Sequence, residues 1–194
     1  MKYLFVFLFL IIASPAFAAA PTYDIDHGHT RIFFRVNHGG FSDLIGEFKE
    51  YEGYFTFDEM SPEASKADVT LKVGSIQTSS PGLDKKLMGE EFFDEEKYPT
   101  ITFKSTKVTK SSPNTGTLEG ILTMHGVSKP LAFEVTLNKS GDFMGTYKAG
   151  FSAVATVKRS DFGLDKYVPL VSDEVMIDIE AEATRRDVTP VKKP

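Results

Sequence analysis

Tyr147-Lys-Ala-Gly-Phe-Ser-Ala-Val-Ala-Thr-Val157 (YKAGFSAVATV) is the stretch whose reading decides the fold. Every second residue, Tyr147, Ala149, Phe151, Ala153, Ala155 and Val157, is apolar. A strand with one buried face requires that period of two, because successive side chains leave opposite sides of the pleat. Three of those six residues are alanine. Small side chains on an inward face either leave space inside a closed sheet or form a seat for a helix, and periodicity alone leaves both open.

The alternation recurs through the chain. RIFFRVN (31–37) sets Ile32, Phe34 and Val36 on one face and Arg31, Arg35 and Asn37 on the other. DVTLKVG (68–74), TITFKST (100–106) and LAFEVTL (131–137) repeat the pattern. EVMIDIEAEA (174–183) sets Val175, Ile177, Ile179 and Ala181 against Asp178, Glu180 and Glu182. With YEGYFTFD (51–58) and GTLEGILTMH (116–125), eight strands are expected, joined by turn clusters such as SPEAS (61–65), SSPNTG (111–116) and NKSGD (138–142). One segment breaks the period. Ser79 to Pro99 carries Leu83, Leu87 and Met88 at helical spacing after a Ser-Pro start, which predicts one short helix and a loop between the third and fourth strands. The expected class is therefore all-β, an eight-stranded antiparallel closed barrel or a sandwich. HGGFSDLIGEF (38–48), with irregular apolar spacing, is expected to be a loop or short helix over a barrel mouth.

Residues 1–18, MKYLFVFLFLIIASPAFA, join one lysine to an apolar run and an Ala-Phe-Ala cleavage site. This is the pattern of a secretory signal peptide, so an exported protein starting near Ala19 is expected. Residues 19–184 then make one domain of ordinary size, followed by a flexible tail, 185–194. The formal net charge is −5, and no run of Lys/Arg exceeds two residues. Nucleic-acid binding, which rests on clustered positive charge, is excluded as an expectation. There is no cysteine and hence no thiol nucleophile, and packing alone must hold the fold. Seventeen phenylalanines in a chain without tryptophan exceed what core filling needs and hint at an apolar binding surface.

Candidate chemistry is sparse. His27 and His29, two apart, would share a face of a strand, but His38 lies nine residues beyond His29, about 30 Å along an extended chain. No three-histidine metal site is possible on that spacing, and none is assigned. No G-x-S-x-G elbow is present, so no catalytic residue is assigned either. The rival reading is a hydrolase or isomerase acting on a small apolar substrate, with His38 or His125 as base. By parity His38 ends the inward row of Ile32, Phe34 and Val36, where it would meet a ligand head group or bond a neighbouring loop. Lys158-Arg159 closes its strand; Arg159 either pairs with Asp161 or Asp173 or lies at a rim where a polar head rests.

YDIDHGHTRIFFRVNH, YPTITFKST, GTLEGILTMHGVSKPLAFEV and KRSDFGLDKYVPLVSDEVMIDIEAEA, in that order and spacing from about Tyr23 to Ala183, resemble the successive segments of the YceI family of periplasmic polyisoprenoid-binding proteins. Thr30 stands where that family often has serine. The resemblance implies a lipocalin-like barrel with a helix across it and an amphipathic lipid in its bore, such as an isoprenoid quinone, a polyprenyl chain or a fatty-acid amide. It also implies a homodimer, transient membrane contact, no cofactor and no catalysis. Phe34, Val36, Phe103, Phe133, Phe151 and Phe162 are the expected lining, with His38 and Arg159 at the ligand's polar end.

Overall fold

The computed structural model describes residues 20–186. The expected leader, 1–18, and residues 187–194 of the expected tail lie outside the described residues. Within them are β1 (Thr22–Ile25), β2 (Arg31–His38), β3 (Ser42–Phe48), β4 (Tyr51–Thr56), β5 (Lys66–Lys72) and β6 (Ile76–Gln77), then α1 (Pro81–Met88). β7 (Thr100–Lys110), β8 (Thr115–Met124), β9 (Val127–Phe143), β10 (Thr146–Lys158) and β11 (Val171–Arg185) follow. All pairings are antiparallel, and eight strands close a ring in the order β1-β4-β5-β7-β8-β9-β10-β11, with β11 returning to β1. Closure gives every one of those strands a neighbour on both sides.

The remaining strands, β2, β3 and β6, branch from β11 in that order. β11 meets β1 through Ala183–Arg185 and β2 through Val171–Glu180, so β1 and β2 are two pieces of one line broken at 26–30. At the break, Thr30 repairs the ladder. Its hydroxyl accepts from Glu182 N at 3.0 Å and donates to Glu182 O at 3.1 Å, while Thr30 O accepts from the Tyr51 hydroxyl at 2.9 Å. Thr30 is accordingly 2 % exposed. Serine offers the same donor and acceptor.

The sequence expectation is corrected in three places. Eleven strands form rather than eight, because the short β1, β3 and β6 add to the ring and its flap; α1 consequently follows β6 instead of lying between the third and fourth strands. β3 occupies the stretch expected to be a loop or helix. Its inward row runs Leu44, Gly46, Phe48, and the glycine hides the period. A Cβ on Gly46 would sit 2.2 Å from Phe34 Cζ, so only glycine fits beneath that ring. NKSGD is no turn: β9 runs through it to Phe143, and the reversal falls at Met144-Gly145, whose φ of 56° and 85° suit a tight I′-type hairpin. The β8–β9 turn is of the same kind, with His125 at φ 51° and Gly126 at 76°.

Two packed clusters form the core of the barrel. Near α1, Phe48, Val73, Ile76, Ile101, Leu122, Met124, Phe162 and Leu164 are buried together, with Leu87, Met88 and Phe93 against them. Toward the other end, Tyr23, Phe57, Ala149 and Ala183 form the second cluster, over which Phe151 makes edge-to-face contacts with Phe55 (5.4 Å) and Phe57 (5.0 Å). Among the described residues no helix is long and apolar enough to cross a membrane.

Candidate functional site

The bore between the clusters is hollow. A cavity of about 500 Å³, lined by residues of every ring strand and of β2, runs along it. That is within the ~300–1,000 Å³ typical of small-molecule sites. At one end it reaches Leu87, Phe92, Phe93, Arg159 and Leu164, beneath the α1 segment and the β10–β11 connection. At the other it reaches Glu59, Lys66, Lys110 and Asn114, all exposed, between the β4–β5 loop and the β7–β8 turn. The second end is the mouth.

How a bore so rich in phenylalanine stays open is shown by two glycines facing it. Phe34 lies over Gly46, and a Cβ on Gly120 would sit 2.4 Å from Phe103 Cζ, so Phe103 lies over Gly120. Each ring folds down along the wall on a neighbour without a side chain, and the bore is left clear. Phe133 meets Phe103 edge to face at 5.2 Å, which fixes both rings.

Phe34, Val36, Phe103, Phe133, Phe151 and Arg159, all singled out from the sequence, line the cavity. Phe162 does not. It is 3 % exposed in the α1-side cluster, because it sits in the 3₁₀ turn after β10 (Arg159–Phe162), which packs it into the core. His38 is not in the cavity either: β2 ends beyond the core, and the residue is exposed in a surface depression with Phe41, Lys86, Tyr167 and Leu170. Of the alanine row, Ala153 lines the cavity, whereas Ala149 is packed in the second cluster. Leu118, Val135, Ile179 and Ala181 also line the cavity; Val135, Ile179 and Ala181 stand on the inward rows read from the sequence, but none of the four was among the expected lining residues.

Arg159 makes neither expected ion pair. The residue is 8 % exposed, and its guanidinium donates to four main-chain carbonyls: from Nε to Ser172 (2.9 Å), from Nη1 to Leu164 (2.5 Å) and Lys166 (2.8 Å), and from Nη2 to Val171 (2.9 Å). Asp173 instead accepts from Ser160 N and Oγ. Burial pushes the Arg159 pKa down, partly offset by the charges of Asp173 and Asp165. The side chain clamps the cap over the closed end. His125 has a similar structural role, with Nδ1 3.0 Å from Phe162 O and its ring against Tyr98. Neither histidine named as a base lines the cavity.

Asp26, His29 and Glu182 bring ligand atoms within 4.8 Å of one another. That centre is already served by a cation, since Lys148 Nζ bonds Asp26 Oδ2 at 3.1 Å and also Glu182 Oε1. His29 Nδ1, 2.9 Å from Asp26, is the chief cause that holds the Asp26 carboxyl down at about 2, against partial desolvation and with help from Lys148 and Gly28 N. A depressed folded-state pKa stabilises the protein above the ordinary carboxylate range, and that contribution fades as pH falls through about 2. Asp26→Asn is therefore expected to lose about 1–2 kcal/mol at pH 7, after allowance for solvent screening. Urea midpoints of the two proteins should converge near pH 2; a constant gap across that range would show that the charge is not responsible.

A profile of the YceI-like domain matches residues 23–183. A UPF0312 protein of Pseudomonas savastanoi is 37 % identical over 178 residues, covering 91 % of this chain and 92 % of the relative. One from Pseudomonas aeruginosa is 38 % identical, covering 91 % and 93 %. Among solved structures, BcnA of Burkholderia cenocepacia superimposes with a TM-score of 0.77 at 25 % identity, over 83 % of this chain and all of that one. A Campylobacter jejuni YCEI protein gives 0.70 at 34 % identity, over 73 % and 85 %. A polyisoprenoid binding domain from Saccharophagus degradans gives 0.65 at 12 % identity over 84 % and 98 %, a likeness of fold. With a closed antiparallel barrel hollowed along its axis and a family match spanning nearly all the described residues, the chain belongs to the YceI-like domain family.

Proposed function

We propose that this protein binds and carries an amphipathic lipid, an isoprenoid or fatty-acyl chain, in the periplasm. The observation that carries the reading is the elongated apolar cavity of about 500 Å³. At the ~30 Å³ that a water-sized group occupies in a liquid, such a space accepts on the order of fifteen chain carbons. At roughly 0.8 kcal/mol per buried CH₂, the tail alone supplies enough free energy for tight binding. The polyisoprenoid binding domain that shares the fold supports the choice of ligand, and the apolar leader in the sequence supports export. The reading is one of binding rather than turnover. It includes transient membrane contact during delivery and a homodimer.

Organic extraction of protein purified from its native periplasm, followed by mass spectrometry, is expected to release a long-chain lipid in near-stoichiometric amount. Recovery of none, together with no uptake of a fluorescent polyprenyl or fatty-acyl probe, would overturn the reading.

A further inference from the structure

We propose that the mouth is a head-group site that takes an anionic oxygen head, a carboxylate or a phosphate, with the apolar tail directed inward toward Arg159. The inference rests on the lipid-binding reading and specifies the chemistry and orientation of the ligand. Its first support is Ser65 Oγ, the one buried side-chain nitrogen or oxygen among the described residues without a hydrogen-bond partner. Ser65 lines the cavity just after the 3₁₀ turn Pro62–Ala64, which packs against β7 beside the mouth. Buried polar atoms are almost always satisfied, so an orphan hydroxyl at a binding cavity marks where a ligand atom belongs. Neighbouring polar groups are already engaged: Thr56 Oγ1 accepts from Lys66 N, and Ser105 Oγ accepts from Ala67 N.

The second support is Lys110. On β7 it shares the face of Val108, which also lines the cavity, so a lysine ends that inward row at the mouth. Among the described residues it has no ion-pair partner; the other β7 lysines, Lys104 and Lys107, pair with Asp68 and Glu119 on neighbouring strands. Glu59, the carboxylate at the same mouth, accepts a hydrogen bond from the Tyr147 hydroxyl at 2.6 Å, which ties it to the wall. The third support comes from the closed end. The Arg159 guanidinium there is committed to four main-chain carbonyls, and the surrounding Leu87, Phe93 and Leu164 suit a tail terminus. A head group placed there would have to break the clamp. At the mouth it meets an unsatisfied hydroxyl and an unpaired ammonium, and charge-assisted hydrogen bonds to an ionised oxygen are the stronger kind.

The test compares tetradecanoate with tetradecanol and farnesyl phosphate with farnesol, each displacing a fluorescent apolar probe from the delipidated full-length protein. At least one acid should bind tenfold or more tightly than its alcohol, and the preference should weaken as salt is raised; which acid wins distinguishes a carboxylate from a phosphate head. Lys110→Met and Ser65→Ala should each reduce the preference several-fold while alcohol affinity stays within twofold. Thermal unfolding controls for folding, and Ser65→Ala should be at least as stable as the parent because it deletes an unsatisfied buried hydroxyl. Equal binding of acids and alcohols, or equal weakening of both by the variants, overturns the head-group site and leaves lipid binding intact. Failure of all four compounds overturns lipid binding itself.

Discussion

Ala153→Phe is expected to lower affinity for a long-chain lipid by about 1,000-fold while leaving the barrel folded. Ala153 is the small residue of the β10 inward row that lines the cavity, and its neighbours across the sheet, Val135 and Ile179, line it too. A phenyl ring there projects into the bore and displaces about five methylene groups of a tail. At roughly 0.8 kcal/mol each, some 4 kcal/mol of binding is lost, and each 1.4 kcal/mol is a factor of ten. The same ring fills a void, so the unfolding temperature should hold or rise. Probe titration and circular dichroism on one preparation check both halves. Undiminished probe affinity in a folded Ala153→Phe protein would mean that the tail does not occupy the bore.

Arg159→Met should act oppositely, on stability first. The guanidinium collects the carbonyls of Leu164, Lys166, Val171 and Ser172, which belong to the β10–β11 connection and the start of β11. Hydrogen bonds to a charged group contribute about 1.5–3 kcal/mol each, and carbonyls left buried without a donor cost about 1–3 kcal/mol. Since part of the connection is near solvent and can relax, a net loss of about 3–4 kcal/mol is expected. For a domain of this size that corresponds to a fall in Tm of about 10 °C. Arg159→Lys should recover little, because an ammonium cannot reproduce the planar fork that reaches four acceptors. An unchanged Tm with lipid binding abolished would show that Arg159 holds the ligand instead of the cap.

Much of the barrel was legible because a half-buried strand writes its burial into every second residue. Phe34, Val36, Phe103, Phe133 and Phe151 were placed on inward rows by that rule, and the resemblance to the YceI family made those rows an expected cavity wall. It failed where other physics took over. Gly46 occupies an inward position without an apolar side chain, so β3 looked irregular although it alternates correctly. NKSGD has turn composition yet pairs within β9, because Met144-Gly145 supplies the two positive φ values that the reversal needs. Phe162 lies in the 3₁₀ turn after β10, where parity has no meaning, and His38, the last residue of β2, keeps its pairing but lies beyond the end of the cavity.

The residues of the opening stretch fixed an all-β chain and its inward rows, since a period of two is a local property of the backbone. Whether the alanines meant space or a helix seat depended on where residues far apart in sequence lie. In the folded barrel α1 covers one end, Ala149 is packed against Tyr23 and Phe57, and only Ala153 faces open bore. The assignments of Arg159 to carbonyls, of Lys148 to the Asp26–Glu182 pair and of Ser65 to nothing are likewise tertiary. Each is set by which backbone atoms a side chain meets across the closed ring, and no spacing along the chain encodes that.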